Sequence, residues 1–574
     1  MHRPTLRRTT AAGALLAGVL AAATPCLAAP PSGAPPLGAV APARPGGPDL
    51  AARLPTETPI KHLVVIYDEN VSFDHYFATY PRAANPPGEP PFHTVAGTKA
   101  ANTLAAAKLL THNPNATNPA NGAGAVEPFR LDRTQAATAD QNHAYTAEQL
   151  AYDHGKADLF PKYTGKGSPG GVGAFATSGQ VMGYFDGNTV GALWRYAQRY
   201  AMSDNAYTDT YGPSTPGALE VVSGQTNGMR IVATTRKPST LAKPSYYIAD
   251  GQGGLGMIND VDPGYDVCSA ASNQVMMTGR NIGDLLNAAR ISWGGFMGGF
   301  DLGARAANGS SGCKRSTHSA VVGANVTDYI PHHNWFQYYA STANPTHARP
   351  ASLAAIGYSY AADGKTADPA NHEYGLADFY RAVRAGNFPA VSYIKLPAYQ
   401  DGHAGYSDPL DEQAGVVRLI DFLEHRPGWK HTAVVITWDD SDGWYDHAFA
   451  TPTSASFDAQ ADQLDGPGAC GHGTALPGVA GKPVNGRCGP GTRLPFLVIS
   501  PWAKRNFVDH ARITQASVVR FIEDNWLHGE RLGGGSFDAS TGSIMGMFDF
   551  AAGGGHVPPL FLSPTTGLPV VARK

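Results

Sequence analysis

"HLVVIYDENVSFDHYF", residues 62–77, decides how the rest of the chain is read. Leu63 to Ile66 run into Tyr67, the β-branched and aromatic types that suit a buried strand. Asp68, Glu69 and Asn70 follow at once, then Ser72, Asp74 and His75. In an open parallel sheet, ligands gather outside the carboxyl ends of the strands, so a polar load at this exit predicts a site. The competing reading is a solvated turn and a helix cap, since Asp, Asn and Ser favour both places.

Working outward, apolar runs recur at "PSYYIAD" (244–250), "AVSYIKL" (390–396), "TAVVITW" (432–438) and "LPFLVIS" (494–500). Between them lie helix-like segments: "AYTAEQLAYDHGKADLF" (144–160), "GALWRYAQRYAM" (191–202), "NIGDLLNAA" (281–289), "GVVRLIDFLEHRP" (415–427) and "TQASVVRFIEDNWL" (514–527). Thr514 is the expected cap of the last. This alternation predicts an α/β domain with a largely parallel sheet and helices on both faces. The Gly/Pro-rich tracts at 81–135, 165–175, 250–320 and 451–493 read as insertions at its rim.

A second strand ends as the first does. "VVITWDDSDGWYDH" (434–447) finishes in Asp439 and Asp440, with Asp442, Asp446 and His447 behind them. Were the two ends adjacent, their carboxylates would repel unless a cation lay between, which predicts an oxygen-ligated divalent metal. In "DNAYTDTYGPSTPGALEVVSGQT" (204–226), Gly212-Pro213 sets a tight turn and Ser214 leads into a helix-like run. A hydroxyl there meets free N–H groups and a positive dipole end, as a phosphate site requires. Capping explains Ser214 equally well at this stage. His332 and His333 ("IPHHNWF"), His403 ("YQDGHAGYSDP"), and His143 and Lys156 upstream of Ser214 supply groups able to bind a dianion and protonate an alkoxide. "TGKGSPGG" (164–171) lacks the order of a nucleotide-binding P-loop.

Bulk composition narrows the partners. The net charge is −3 over 574 residues, which suggests neither nucleic acid nor an anionic membrane surface. The first 29 residues form a basic then apolar stretch with a cleavage region near Ala28–Ala29, so export to the periplasm or the medium is expected, and Arg7–Arg8 fits either a twin-arginine or an ordinary signal. Residues 30–57 read as a disordered Pro/Ala/Gly leader, and no later run argues a membrane span. Cleavage would remove Cys26 and leave four cysteines, for which Cys470–Cys488 and Cys268–Cys313 disulfides are the economical arrangement. A zinc site using His472 is the rival.

Taken in order, "IKHLVVIYDENVSFDHYFATYP", "GPSTPG", "YIPHHNWF", "DGHAGYSDP", "VVITWDDSDGWYDH", "GTRLPFLVISPWAKRNFVDH" and "TQASVVRFIED" resemble the bacterial phosphoesterase family of secreted acid phosphatases and phospholipases C, a branch of the alkaline phosphatase superfamily. The likeness spans roughly 58–550. It implies a three-layer α/β sandwich of alkaline phosphatase type, with a catalytic domain over 58–552 and a tail over 553–574. It implies one divalent metal on Glu69, Asn70, Asp439 and Asp440, and Ser214 as the nucleophile that becomes phosphoserine. By the same likeness His332, His333 and His403 serve catalysis, while Asn70, His143 and Lys156 hold the phosphate. Two positions depart from many relatives: Asp440 stands where Glu is common, and Asp68 where Gln is. The expected activity is hydrolysis of phosphomonoesters ahead of phosphatidylcholine-like diesters, the substrate being a small phosphate ester or a phospholipid headgroup. A sulfatase is disfavoured because "GPSTPG" lacks the usual C/S-x-P-x-R signature. A secreted binding protein without chemistry is the alternative from another class.

Overall fold

The computed structural model describes residues 49–232, 246–271, 274–361, 363–551 and 556–570. The expected signal peptide, Cys26 and most of the leader therefore lie outside the described residues, as do parts of the tail.

Four of the five apolar runs join one nine-stranded sheet: β1 (His62–Asp68), β2 (Ala201–Tyr207), β3 (Trp293–Met297), β4 (Glu373–Gly375), β5 (Val391–Lys395), β6 (Thr432–Trp438), β7 (Arg493–Ile499), β8 (Phe507–Asp509) and β9 (Ile513–Thr514). Their spatial order is β4-β3-β5-β1-β6-β7-β2-β8, with β9 also beside β2. Only β7 runs antiparallel to its neighbours, so the carboxyl ends of the other strands share one edge. β1 lies between β5 and β6, buried along its whole length, which is why it reads as a continuous apolar run.

Alternation along the strands sends side chains to two helical layers. The helices that matter here are α1 (Phe73–Phe77), α2 (Tyr145–Tyr152), α3 (Gly191–Arg199), α4 (Ser214–Ser223), α5 (Ile282–Ala289), α6 (Pro409–Glu424) and α7 (Ala516–Trp526). Tyr393 pairs with Val65 across β5 and β1, and its hydroxyl donates to the Val221 carbonyl of α4 at 3.1 Å. Trp438, level with Asp68, points to the other side and donates its indole N–H to Glu412 of α6 at 2.9 Å. α4 packs with α5 and α7, and α6 packs with α3, giving three layers.

Several expectations shift. "RYAM" does not extend α3: the helix stops at Arg199 and β2 begins at Ala201. Tyr247–Ala249 belongs to a separate five-stranded sheet built by the 227–277 insertion, not to the main sheet. The segment 144–160 is not one helix, because α2 ends at Asp153, whose φ of 40° reverses the chain. Thr514 caps nothing; it lies in β9 and its hydroxyl pairs with Thr541. Cys268–Cys313 and Cys470–Cys488 are both disulfides, so the zinc alternative at His472 falls away.

Candidate active site

The register of β1 and β6 answers the opening puzzle. Asp68 is level with Trp438, so the next residues of each strand, Glu69 and Asp439, emerge side by side at the sheet's carboxyl edge. Asn70 turns the chain with φ 62°, a left-handed conformation that Asn tolerates. Its backbone N–H donates to Asp439 Oδ1 at 2.9 Å, and its side-chain amide donates to Asp442 Oδ1 at 3.1 Å. The Asp440 N–H also donates to Asp439 Oδ1, and the Asp442 N–H donates to Asp440 Oδ1. The two polar loads thus form one hydrogen-bonded unit.

Ser214 is the first residue of α4, and its side chain makes no cap. Its hydroxyl lies 3.1 Å from Asp440 Oδ2 and 3.3 Å from Asn70 Oδ1, at 1% exposure. The hydroxyl points at the carboxylates and makes no capping bond.

Charge is concentrated here. Burial, then the adjacent Asp439, pushes Glu69 well above the usual carboxylate range, and the same two causes raise Asp440. Burial also works against the Asp439 charge, but the neighbouring Glu69 carboxyl and the Lys395 ammonium outweigh it and hold Asp439 low. Lys395, at the end of β5, is buried and bonds Glu69 Oε1 directly. Even so, Glu69 Oε2 and Asp439 Oδ2 are buried without a hydrogen-bond partner. Unfilled acceptors on two touching carboxylates are what a bound cation would occupy, so the oxygen-rich set Glu69, Asn70, Asp439 and Asp440 fits a divalent metal. Glu69 also shares a second grouping, with ligand atoms of His333 and Asp401 within 4.8 Å of one another.

Three of the expected histidines converge on this edge. His143 Nδ1 lies 3.1 Å from Asp442 Oδ1, His333 Nδ1 lies 3.0 Å from Glu69 Oε1, and the His403 ring lies 6.0 Å and 6.3 Å from those of His143 and His333. Burial pushes His403 down to about 4 and His333 well below its usual range. For His143 burial has the same sense, yet Asp440 and Asp442 outweigh it and raise the ring. His332 stands at the mouth, with a side chain 29% exposed; it too is raised, because Asp262 and Asp260 outweigh burial.

Lys156 is not brought in. Its ammonium is 61% exposed and paired with Asp153 at 2.6 Å, beyond the turn that breaks α2 from the rest of its segment. Lys395 is the lysine at the carboxylates, and its sequence signal is a lone cation closing the buried run "VSYIK". The sequence places Asp442 only behind the end of β6, yet it lies between Asn70 and His143. Asp446 and His447 lie instead in a network with Asp74, filled by the Arg493 guanidinium.

A buried serine hydroxyl shared between an amide and a carboxylate, at the carboxyl edge of a mostly parallel sheet, is an arrangement suited to an enzyme that cleaves esters. The profile of the Phosphoesterase family matches residues 60–527. The chain belongs to that family and is a hydrolase of phosphate esters. It is similar to phospholipase C A of Mycobacterium tuberculosis, 22% identical over 78% of this chain and 69% of that protein. The non-hemolytic phospholipase C of Burkholderia pseudomallei is 23% identical over 81% of this chain and 55% of its own length. Non-specific phospholipase C1 of Arabidopsis thaliana is 29% identical over 24% of each chain.

Proposed function

We propose that the protein cleaves phosphomonoesters by double displacement at Ser214, with one divalent metal on Glu69, Asn70, Asp439 and Asp440. The observation that carries this reading is the Ser214 hydroxyl held between Asn70 and Asp440, beside carboxylate oxygens that have no other partner. When bound, such a metal lowers the pKa of a nearby hydroxyl and offsets phosphoryl charge. Ser214 Oγ attacks phosphorus, the ester oxygen leaves, and a phosphoserine forms. Asp440 accepts the serine proton. His332 gives a proton to the leaving oxygen: its side chain is more exposed than those of His143, His333 and His403, and acidic neighbours favour its charged form. His143, His333, His403 and Lys395 surround the phosphoryl oxygens. Water then hydrolyses the phosphoserine and regenerates Ser214.

The relatives are phospholipases C, which favours a second reading, cleavage of a phospholipid diester by the same serine. No helix among the described residues is long and apolar enough to cross a membrane. One purified batch decides between them: phosphate release from soluble monoesters against diacylglycerol and phosphocholine release from phosphatidylcholine micelles. We expect the best monoester to have the higher kcat/KM. A diester value tenfold higher, about 1.4 kcal/mol in transition-state binding, reverses the order. Export from the cytoplasm is part of the same proposal, supported by the signal-like N-terminus and by two disulfides, which form in oxidising compartments.

A further inference from the structure

We propose that Gln515 is a positioning residue that sets the nucleophile and the carboxylates at their working separation. The inference rests on the reading of Ser214 and Asp439–Asp440 given above.

Gln515 is a buried residue at the N-terminus of α7, and one side-chain amide of it reaches three parts of the site. Nε2 lies 2.5 Å from the Asp439 carbonyl oxygen, 3.0 Å from that of Trp438 and 2.8 Å from the Tyr67 hydroxyl. Those atoms belong to the ends of β6 and β1, the two strands that deliver the carboxylates. On its other side, Oε1 accepts from the Asp209 N–H at 3.4 Å, in the segment that leads to Ser214. Asp209 in turn accepts from the Ala516 N–H at 2.8 Å, so the segment is tied twice to the start of α7.

Gly217 acts in the same sense from α4. It lies one turn beyond Ser214, and a Cβ there would overlap the Asp439 carbonyl oxygen and crowd the Asp439 backbone. The helix bearing the nucleophile therefore rests directly on the Asp439 peptide, whose carbonyl Gln515 holds. Without that donor, both carbonyls at the end of β6 lose a buried partner, and the Asp439–Asp440 backbone is free to shift relative to Ser214. Partners that orient groups around a metal typically contribute about 10–100-fold in affinity or activity.

The test compares two buried amides at opposite ends of one helix. Asn525 is equally buried, accepting from Thr58 and donating to the Ile60 carbonyl, and has no tie to the site. We expect Gln515→Leu to lower kcat for p-nitrophenyl phosphate by about tenfold or more, with KM within about threefold, and to weaken Mn²⁺ binding by about tenfold in calorimetric titration. Asn525→Leu should lose thermal stability while kcat and Mn²⁺ affinity stay within about twofold of wild type. Gln515→Glu, of equal size but lacking the amide donors, should repeat the loss and serves if the leucine variant does not fold. Unchanged kcat and Mn²⁺ affinity in either folded Gln515 variant, or equal losses in Asn525→Leu, overturns the proposal. If the wild type cleaved no phosphate ester, the functional reading would fall, and the Mn²⁺ titration would still decide this one.

Discussion

At the scale of single residues, the site is organised by proton sharing. The Ser214 hydroxyl has one proton and two acceptors within reach, Asp440 and Asn70. Removing it deletes the proposed attacking atom while sparing the helix, since the hydroxyl bonds Asn70 and Asp440 and not the helix N–H groups. Ser214→Ala should therefore cost about a thousandfold or more in kcat, roughly 4 kcal/mol, with an unfolding midpoint near that of wild type. Intact-mass analysis of quenched turnover should find phosphate on Ser214 in the parent and none in the variant; near-parental turnover by the variant removes serine from the mechanism. The carboxylates, amide and serine were legible in the sequence because each sits at the abrupt end of an apolar run or after a Gly-Pro turn. The lysine was not, because Lys156 and Lys395 differ only in which lies at a strand end, and a cation inside "VSYIK" reads as a strand blemish until Glu69 is seen against it. Gln515 carried no signal: its bonds go to backbone carbonyls, which no side-chain pattern reports.

At the scale of elements, α1 and β7 are joined by a buried charge network. Arg493, the first residue of β7, contacts Asp74 of α1 and Asp446, while His447 Nδ1 faces Asp74 and Nε2 faces Asn102 Oδ1. Both ring nitrogens meet acceptors, the environment of an imidazolium. Burial opposes the His447 charge, yet Asp74 outweighs it and holds the ring above its ordinary 6.5. Asp74 is likewise opposed by burial and held below 3.8 by His447 and Arg493. The His447 contribution is thus complete below pH 6.5 and lost as pH rises through its higher folded value. The Asp74 contribution is present above 3.8 and lost as pH falls through its lower folded value. Thermal unfolding should show wild type exceeding His447→Gln by on the order of 1 kcal/mol near pH 6, with the gap closing toward pH 9. A gap that stays constant across that range excludes the imidazolium. Among strands, β1, β5, β6 and β7 were readable as β-branched runs, whereas β3 is "WGGFM" and β4 only three residues, so neither carries periodicity. β2 hid behind α3, because a helix and a strand meet there with a single residue between them.

At the scale of the whole molecule, the carboxylates at the sheet's carboxyl edge are buried, and Glu69 Oε2 and Asp439 Oδ2 keep no hydrogen-bond partner. Asp439, Asp440, Glu69 and Asp442 are each at most 1% exposed. A ligand that binds only the native arrangement stabilises it by mass action, about 2.7 kcal/mol at a hundred times its Kd. Differential scanning calorimetry should therefore show a lower midpoint after exhaustive chelation, restored by a divalent salt, with hydrolysis lost and regained in parallel. Superimposable melting curves for metal-free and metal-supplemented protein would leave the carboxylates without their cation.

The placement of β1 also sets a timetable for biosynthesis. The first strand made is flanked on both sides by strands from late in the chain, and Glu69 and Lys395, which meet beside it, are 326 residues apart. At roughly 5–20 residues per second, the ribosome needs on the order of 20–60 s to supply the first partner strand. Throughout that interval "HLVVIY" has neither neighbour, so a nascent chain must be shielded from aggregation. On the proposed mechanism, hydrolytic power arrives late as well: a polypeptide lacking β6 cannot bring Ser214 together with Asp439 and Asp440.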